Sequence, residues 1–380
     1  MQPSNSFDSY NQYGPQSVYS VSEIKEQQSS FSNIPVIDIS KFECTETRNE
    51  FLTSLEKGLK FGFFAVVNPE LDINTIEKGY EAFGKFFKSS KEEKMAINKP
   101  DLRGQRGYLY HEIALGNTTA DSKEYLHIGS KNSNVANVWP THMDLEGPAM
   151  ALFDKLKEIG QPILRGIALV LGQREDFFTE MTDNGENLMR ALHYYKNPLG
   201  GVWAAEHTDI DLLTILPYAS EKGLEIEVNG KWEQVVVPKN ALVINVGDML
   251  EAFSNGFPSC KHRVRSTTPD TERESVVFFI HPQDGTMIRP LENEKQIHKY
   301  PKGTRLDYLF LRLFSNGQLT ESQGEEVIKG KFVKRIEQMV KAGTAADSVK
   351  LWYEGFQKSV LHIQMQKLND FVQQFEYNTK

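Results

Sequence analysis

Apolar positions recur along this chain at two spacings, and the switch between them marks its organisation. Around 45–60, over 74–89 and through "GPAMALFDKLKEIGQPILRGIALVLG" (147–172) they return every three to four residues, which predicts helices with one buried face. Short apolar runs predict strands at "IPVIDIS" (34–40), through Ile34, Val36, Ile37 and Ile39, and at "FGFFAVVN" (61–68). From Leu188 the texture changes. The runs "ALHYY", "LLTIL", "GLEIEV", "WEQVVV", "ALVINVG" and "ESVVFFI" are β-branched or aromatic and are separated by Gly, Pro and Asn, as strands of an all-β barrel or sandwich are. Helical spacing returns beyond about 320, in "EEVIKGKFVKRIEQMVKAG" and "ADSVKLWYEGFQKSVLHIQMQKLNDFVQQF". The sum is an α+β chain with helices first, a β-rich centre and helices last. Its expected division is a flexible polar tail at 1–32, a helical and strand region at 33–187, a β core at 188–320 and a helical extension at 321–380.

Composition narrows the partners more than the fold. Acidic side chains outnumber basic ones by 51 to 43 and no long Lys/Arg block occurs, so neither nucleic acid nor an anionic membrane is the expected partner. Small molecules are the natural partners instead. Cys44 and Cys260 are too few for a disulfide framework and suit a reducing compartment. With no basic-then-apolar leader pattern and no run of about 18 apolar residues, a soluble cytoplasmic protein is expected. Monomer and homo-oligomer both stay open.

The candidate chemistry begins at "EHTDID" (206–211). His207, Asp209 and Asp211 occupy alternate positions leading into the apolar run 212–216, so in an extended chain they share one face. Ferrous iron in oxygenases is commonly held by two His and one carboxylate, with the remaining positions left for substrate and oxygen. His207 and Asp209 supply two of the three, and His262 in "SCKHRVRST", 53 residues after Asp209, supplies the third if antiparallel strands return the chain. Four protein ligands would close too many positions, so Asp211 is expected beside the metal set or in solvent. In "RESVVFFI", Arg273 and Ser275 share a strand face with Val277 and Phe279. An inward Arg is costly to desolvate without an anion, and a ligand carboxylate would be that anion.

Together these residues resemble the isopenicillin N synthase-like branch of the Fe(II)/2-oxoglutarate-dependent dioxygenases. The ordered series is "HTDIDLLTIL" (207–216), "NVGD" (245–248), "SNG" (254–256), "HRV" (262–264) and "RES" (273–275). "IPVIDIS", "FGFFAVVN", "AFGKFF" with "KEEKM", "RGY" (106–108), "DSKEYLHIG" and "NVWP" look like the N-terminal half of that branch, so the likeness runs from about 34 to 315. It implies a double-stranded β-helix, a jelly-roll barrel flanked by N- and C-terminal helices. It also implies Fe(II) on His207, Asp209 and His262, and 2-oxoglutarate held at its distal carboxylate by Arg273 and Ser275. In "LHYYKNP", Tyr195 matches a tyrosine that contacts the cosubstrate, while His193 stands where relatives carry Asn.

The implied reaction consumes 2-oxoglutarate and O2, releases succinate and CO2, and oxidises a small-molecule substrate, with hydroxylation the default and desaturation or ring closure open. Two other readings fit the same residues: a ferrous oxidase of this fold drawing electrons from substrate or ascorbate, and a barrel that binds without turnover. Tyr108, Tyr110, His111, Tyr125, His127, Phe279, His142 and His281 are candidates for substrate contact, each with core packing or solvation as the plainer role. The helix at 345–377 extends past the usual end of the family and is expected over the barrel mouth, against another subunit, or docked on its own domain.

Overall fold

The computed structural model describes residues 32–69, 73–102, 104–110, 121–238, 240–291, 298–315, 319 and 321–378, the side chains of 321 and 366–378 excepted. The tail expected at 1–32 lies outside these apart from Ser32, as does His111. In chain order the first half forms β1 (Val36–Asp38), α1 (Arg48–Phe61), β2 (Phe63–Val67), α2 (Ile73–Phe87), α3 (Lys91–Ala96), β3 (Gly107–Tyr110), β4 (Lys123–Gly129), α4 (Glu146–Val170) and α5 (Phe177–Thr182). The barrel strands follow as β5 (Leu188–Asn197), β6 (Val202–His207), β7 (Leu213–Leu216), β8 (Leu224–Val228), β9 (Lys231–Gln234) and β10 (Leu242–Val246). Then come α6 (Asp248–Ser254), β11 (His262–Arg265), β12 (Thr271–Ile280), the short pair β13 (Met287–Ile288) and β14 (Gly303–Thr304), and α7 (Arg305–Ser315). The chain closes with α8 (Glu321–Lys329), α9 (Lys331–Lys341) and α10 (Asp347–Asn378).

Two sheets make a jelly roll. The larger runs β1-β2-β10-β7-β12-β5-β4-β3 and the smaller β6-β11-β8-β9. Alternation along β12 shows how the larger sheet divides its residues: Arg273, Ser275, Val277 and Phe279 face inward, while Val276, Phe278 and Ile280 pack outward against the helices. Phe278 meets Phe153 of α4 edge-on at 4.9 Å. Gly160 lets α4 approach the sheet, because a Cβ there would stand 2.7 Å from the Ile280 side chain. On α2, Ile76, Tyr80, Phe83 and Phe87 form the buried stripe, and the Tyr80 hydroxyl donates to the Tyr218 carbonyl while accepting from the Val276 amide. The N-terminal strands are thus part of the barrel sheet rather than a separate layer.

Three departures from the expected elements have physical causes. Strand β1 is shorter than its apolar run, because the Asp38 carboxylate caps a 3-10 turn at Ile39–Lys41. Strand β4 lies between β3 and β5 and pairs with both, and its seven successive residues are all buried, so the alternation that betrays a strand is absent. Helix α6 has only 7 residues, and those from Asp248 to Phe253 are all buried, which hides its periodicity. No helix among the described residues is long and apolar enough to cross a membrane.

Candidate metal and cosubstrate site

His207 ends β6 and His262 begins β11, and antiparallel pairing sets them directly opposite, with ring centroids 4.4 Å apart. Asp209 is not on the strand. Strand β6 stops at His207, residues 208–212 turn across the barrel mouth, and β7 resumes in the other sheet. The expectation that His207, Asp209 and Asp211 alternate along one extended face is therefore corrected: the carboxylate reaches the imidazoles by a turn. One ligand atom from each of His207, Asp209 and His262 lies within 4.8 Å of the others. The Asp209 Oδ1 stands 3.8 Å from His207 Nε2, and Oδ2 stands 3.7 Å from His262 Nε2.

The donor chemistry suits a divalent ion. His207 Nδ1 is 2.7 Å from the Ala205 carbonyl and His262 Nδ1 is 3.2 Å from that of Cys260, so each Nδ1–H is spent on backbone and each Nε2 lone pair faces the carboxylate. Thr214 Oγ1 and Asn245 Nδ2 both donate to Asp209 Oδ2, at 2.6 and 2.9 Å, which leaves Oδ1 without a hydrogen-bond donor among the described residues. Burial, then the facing His262, pushes the His207 imidazole down to about 3. Burial opposes the Asp209 charge, but His262, His207 and the two donors outweigh it and hold the carboxyl at about 2. Both groups are therefore in their ligating forms at neutral pH.

Asp211 is fully buried behind this carboxylate and shares its donor, with Oδ2 3.1 Å from Thr214 Oγ1. A hydroxyl has one proton to give, and the shorter bond assigns it to Asp209. Burial and the neighbouring Asp209 raise the Asp211 carboxyl well above the usual range, and the Thr214 hydroxyl offsets part of that rise. The glycine of "NVGD" is required here, because a Cβ on Gly247 would lie 2.2 Å from both the Asp211 carbonyl and its Oδ1.

Arg273 and Ser275 lie on the inner face of β12, each 3% exposed, and Arg273 Nη1 donates to Ser275 Oγ at 3.0 Å. Arg273 Nε donates to the Glu221 carbonyl, and its guanidinium stacks over the Tyr194 ring at 4.9 Å. No carboxylate among the described residues is within ion-pair reach of this buried cation. Register decides the tyrosine: Arg273 pairs with Tyr194 across β12 and β5, so Tyr195 faces the other way. The expectation for Tyr195 is corrected accordingly. Tyr195 and His193 share the outer face, where His193 stacks on Phe87 and Nδ1 meets Glu124 at 2.8 Å. The substitution of His193 for the family Asn thus falls outside the site.

Comparison with known proteins gives this geometry its family. The 2OG-Fe(II) oxygenase superfamily profile matches residues 186–282, and that of the N-terminal region of non-haem dioxygenases in morphine synthesis matches 34–142. Homoarginine-6-hydroxylase 2-ODD-C23.1 of Arabidopsis thaliana is 30% identical over 313 residues, covering 72% of this chain and 91% of that protein. The chain belongs to the 2OG-Fe(II) oxygenase superfamily. The 2-oxoglutarate-Fe(II) type oxidoreductase hxnY of Emericella nidulans is 27% identical over 300 residues, covering 70% of this chain and 85% of its own. A full-length Neurospora crassa protein, crystallised in complex with alpha-KG, superposes with a TM-score of 0.66 at 28% identity, over 75% of this chain and 99% of that one. The protein is thus a 2-oxoglutarate-dependent dioxygenase with Fe(II) as its metal, of the isopenicillin N synthase-like kind, and the reading without 2-oxoglutarate is not favoured.

The dioxygenase has a cavity of about 820 Å³ at the barrel mouth, lined by His207 and Asp209 and by residues drawn from Gly104 to Lys358. Of the candidates for substrate contact, His127, Phe279 and His281 line it. Tyr108 and Tyr110 are on the opposite face of β3, Tyr125 packs in the inner cluster beside His127, and His142 meets Ser89 at the surface. Arg190 reaches the cavity on the inner face of β5, with Nε donating to His127 Nε2 at 2.6 Å. Lys123, 4% exposed, lines the cavity across Tyr194 from Arg273 and pairs with Asp121 at 2.8 Å. The start of α10 closes the mouth through Ser348, Leu351, Trp352 and Gly355, while Trp352 and Phe356 pack on Tyr308 and Phe314 of α7. Lys123, Arg190 and Tyr194 went unrecognised in the sequence, because only the pairing register tells which strand residues face inward.

Proposed function

We propose that His207 and His262 through Nε2, with Asp209 through its carboxylate, hold the ferrous ion, and that Arg273 and Ser275 bind the distal carboxylate of 2-oxoglutarate with Tyr194 forming the floor beneath. When bound, the iron supplies the oxygen chemistry that turns 2-oxoglutarate into succinate and CO2 while the substrate is oxidised. The chain's own part is to orient and to exclude water. Asn245 and Thr214 fix the carboxylate rotamer, the Ala205 and Cys260 carbonyls fix the imidazole tautomers, and α10 with α7 covers the mouth of the cavity.

The reading is hydroxylation of a small molecule held in the cavity, by an enzyme of the reducing cytosol, where two unpaired cysteines are stable. The observation that carries the cosubstrate assignment is Arg273, a buried guanidinium with no carboxylate among the described residues in ion-pair contact, on the same inner face as Thr214 and Asn245. A substrate screen read by succinate release, with His207→Ala as the blank, tests it. A compound that raises succinate formation in the native enzyme and not in the blank supports the reading. Succinate released equally by both contradicts it.

A further inference from the structure

We infer that the cavity holds a second anion site, built from Arg106, Arg305 and His281, which binds a carboxylate of the substrate. The inference rests on the dioxygenase reading and names the substrate class for that same cavity. All three residues line the cavity and all are more than nine-tenths buried, at 6%, 7% and 7% exposure. They come from three separate places: the turn before β3, the first residue of α7, and the residue after β12.

Each is held by protein at one or more of its groups and keeps one buried side-chain nitrogen unpartnered. Arg106 Nη1 donates to the Gln105 carbonyl and Nη2 to Ser133 Oγ, both at 2.7 Å, with Glu186 3.4 Å away. Arg305 pairs with Asp284 through Nη1. The His281 amide donates to Asn187 Oδ1 at 2.9 Å. Arg106 Nε, Arg305 Nε and His281 Nδ1 are buried without a protein partner. An unmade hydrogen bond of this kind costs about 1–3 kcal/mol, and these three nitrogens, among six such buried atoms on residues lining the cavity, are an expensive arrangement unless a ligand completes them.

The charges decide what the ligand is. Arg106 and Arg305 are near enough to repel one another, and Glu186 acts on both. A carboxylate satisfies both N–H donors at once and offsets that repulsion, which a neutral amide does at one oxygen only and an ammonium cannot do at all. The ligand is not 2-oxoglutarate held at its other site. Arg273 and His281 are eight residues apart along β12 and its exit, about 26 Å at roughly 3.3 Å per residue, beyond the reach of one small dicarboxylate. The second anion therefore belongs to a different molecule, and in this cavity that molecule is the substrate.

The test uses the full-length protein with Fe(II) and saturating 2-oxoglutarate under anaerobic conditions, titrated calorimetrically with phenylacetate, 3-phenylpropionate and hexanoate, each beside its primary amide and the corresponding amine. Acids are expected to bind roughly tenfold or more tighter than their amides, and Arg305→Gln and Arg106→Gln to bring that ratio close to unity. Arg305→Lys, which keeps the charge, should recover part of it. The ratio is the readout because a variant that merely loses fold weakens acid and amide alike. Amides or amines binding as tightly as the acids, no acid binding at all, or an acid-to-amide ratio unmoved in both Gln variants would overturn the proposal. Failure of the native protein to bind 2-oxoglutarate in the same cell would instead strike at the dioxygenase reading itself.

Discussion

The two faces of strands β4, β5 and β12 carry polar residues in similar numbers and use them in opposite ways. On the outer face Glu124 accepts from Lys94 at 2.8 Å, from the Tyr108 hydroxyl at 2.5 Å and from His193, whose Nε2 lies 3.6 Å from Glu272. Every charge in this network is answered by the protein, and the network ties α3 to the sheet. On the inner face Arg273 has no carboxylate partner among the described residues. The outer network holds the fold together, whereas on the inner face Lys123 is paired with Asp121 but Arg273 is left for a ligand. A buried cation with no carboxylate in ion-pair contact is the more informative of the two, since it states what the missing ligand must be.

Breaking the inner face at the metal should have the largest effect. Asp209→Ala is expected to lower succinate formation on the order of a thousandfold and to abolish stoichiometric iron, measured by metal analysis after anaerobic loading. Arg273→Gln should act on the cosubstrate alone, raising the KM for 2-oxoglutarate roughly 100-fold, about 3 kcal/mol, with iron content retained. An unchanged KM would remove Arg273 from the site.

The outer face should answer in stability rather than in catalysis. Burial disfavours the His193 charge, but Glu124 and Glu272 outweigh it and push the imidazole up to about 9 from its ordinary 6.5. A histidine raised in the folded state binds a proton the unfolded chain does not. Its contribution is complete below about 6.5 and is lost as pH rises through about 9. His193→Asn should therefore flatten the fall in unfolding free energy between those pH values by about 2 kcal/mol, allowing for the charge being shared across the pair. Denaturant unfolding at several pH values measures it, and a slope equal to the native one would contradict it. The smallest effect sharpens the comparison most: Tyr194→Phe should raise the KM for 2-oxoglutarate about fivefold, a contribution of about 1 kcal/mol, and Tyr195→Phe should leave it alone. The reverse pattern would restore Tyr195 to the site.

That last pair marks where the sequence stopped being readable. The candidate metal set His207, Asp209 and His262 was legible through the ordered series of motifs that carries it rather than through the H-x-D pair alone, and Arg273 with Ser275 through their place on the strand after His262. Alternation shows that Tyr194 and Tyr195 face opposite ways, but only pairing with Arg273 says which is inside, and an error of one position exchanges the faces. Asp209 was rightly joined to His207 for the wrong reason, since a turn and not a strand delivers it. Arg106 is far earlier in the chain than His281 and Arg305, and the three meet only once the barrel closes, so no local pattern announces them. The extension at α10 was visible as a helix, but its place over the cavity depends on Trp352 and Phe356 finding α7.

The most direct test of the metal and cosubstrate site is the visible absorption of the anaerobic ferrous protein as 2-oxoglutarate is added. A metal-to-ligand band should appear in the native chain, be absent in Asp209→Ala, and require roughly 100-fold more 2-oxoglutarate in Arg273→Gln. No band in the native chain, or one undiminished in Asp209→Ala, would contradict the assignment of both ligands.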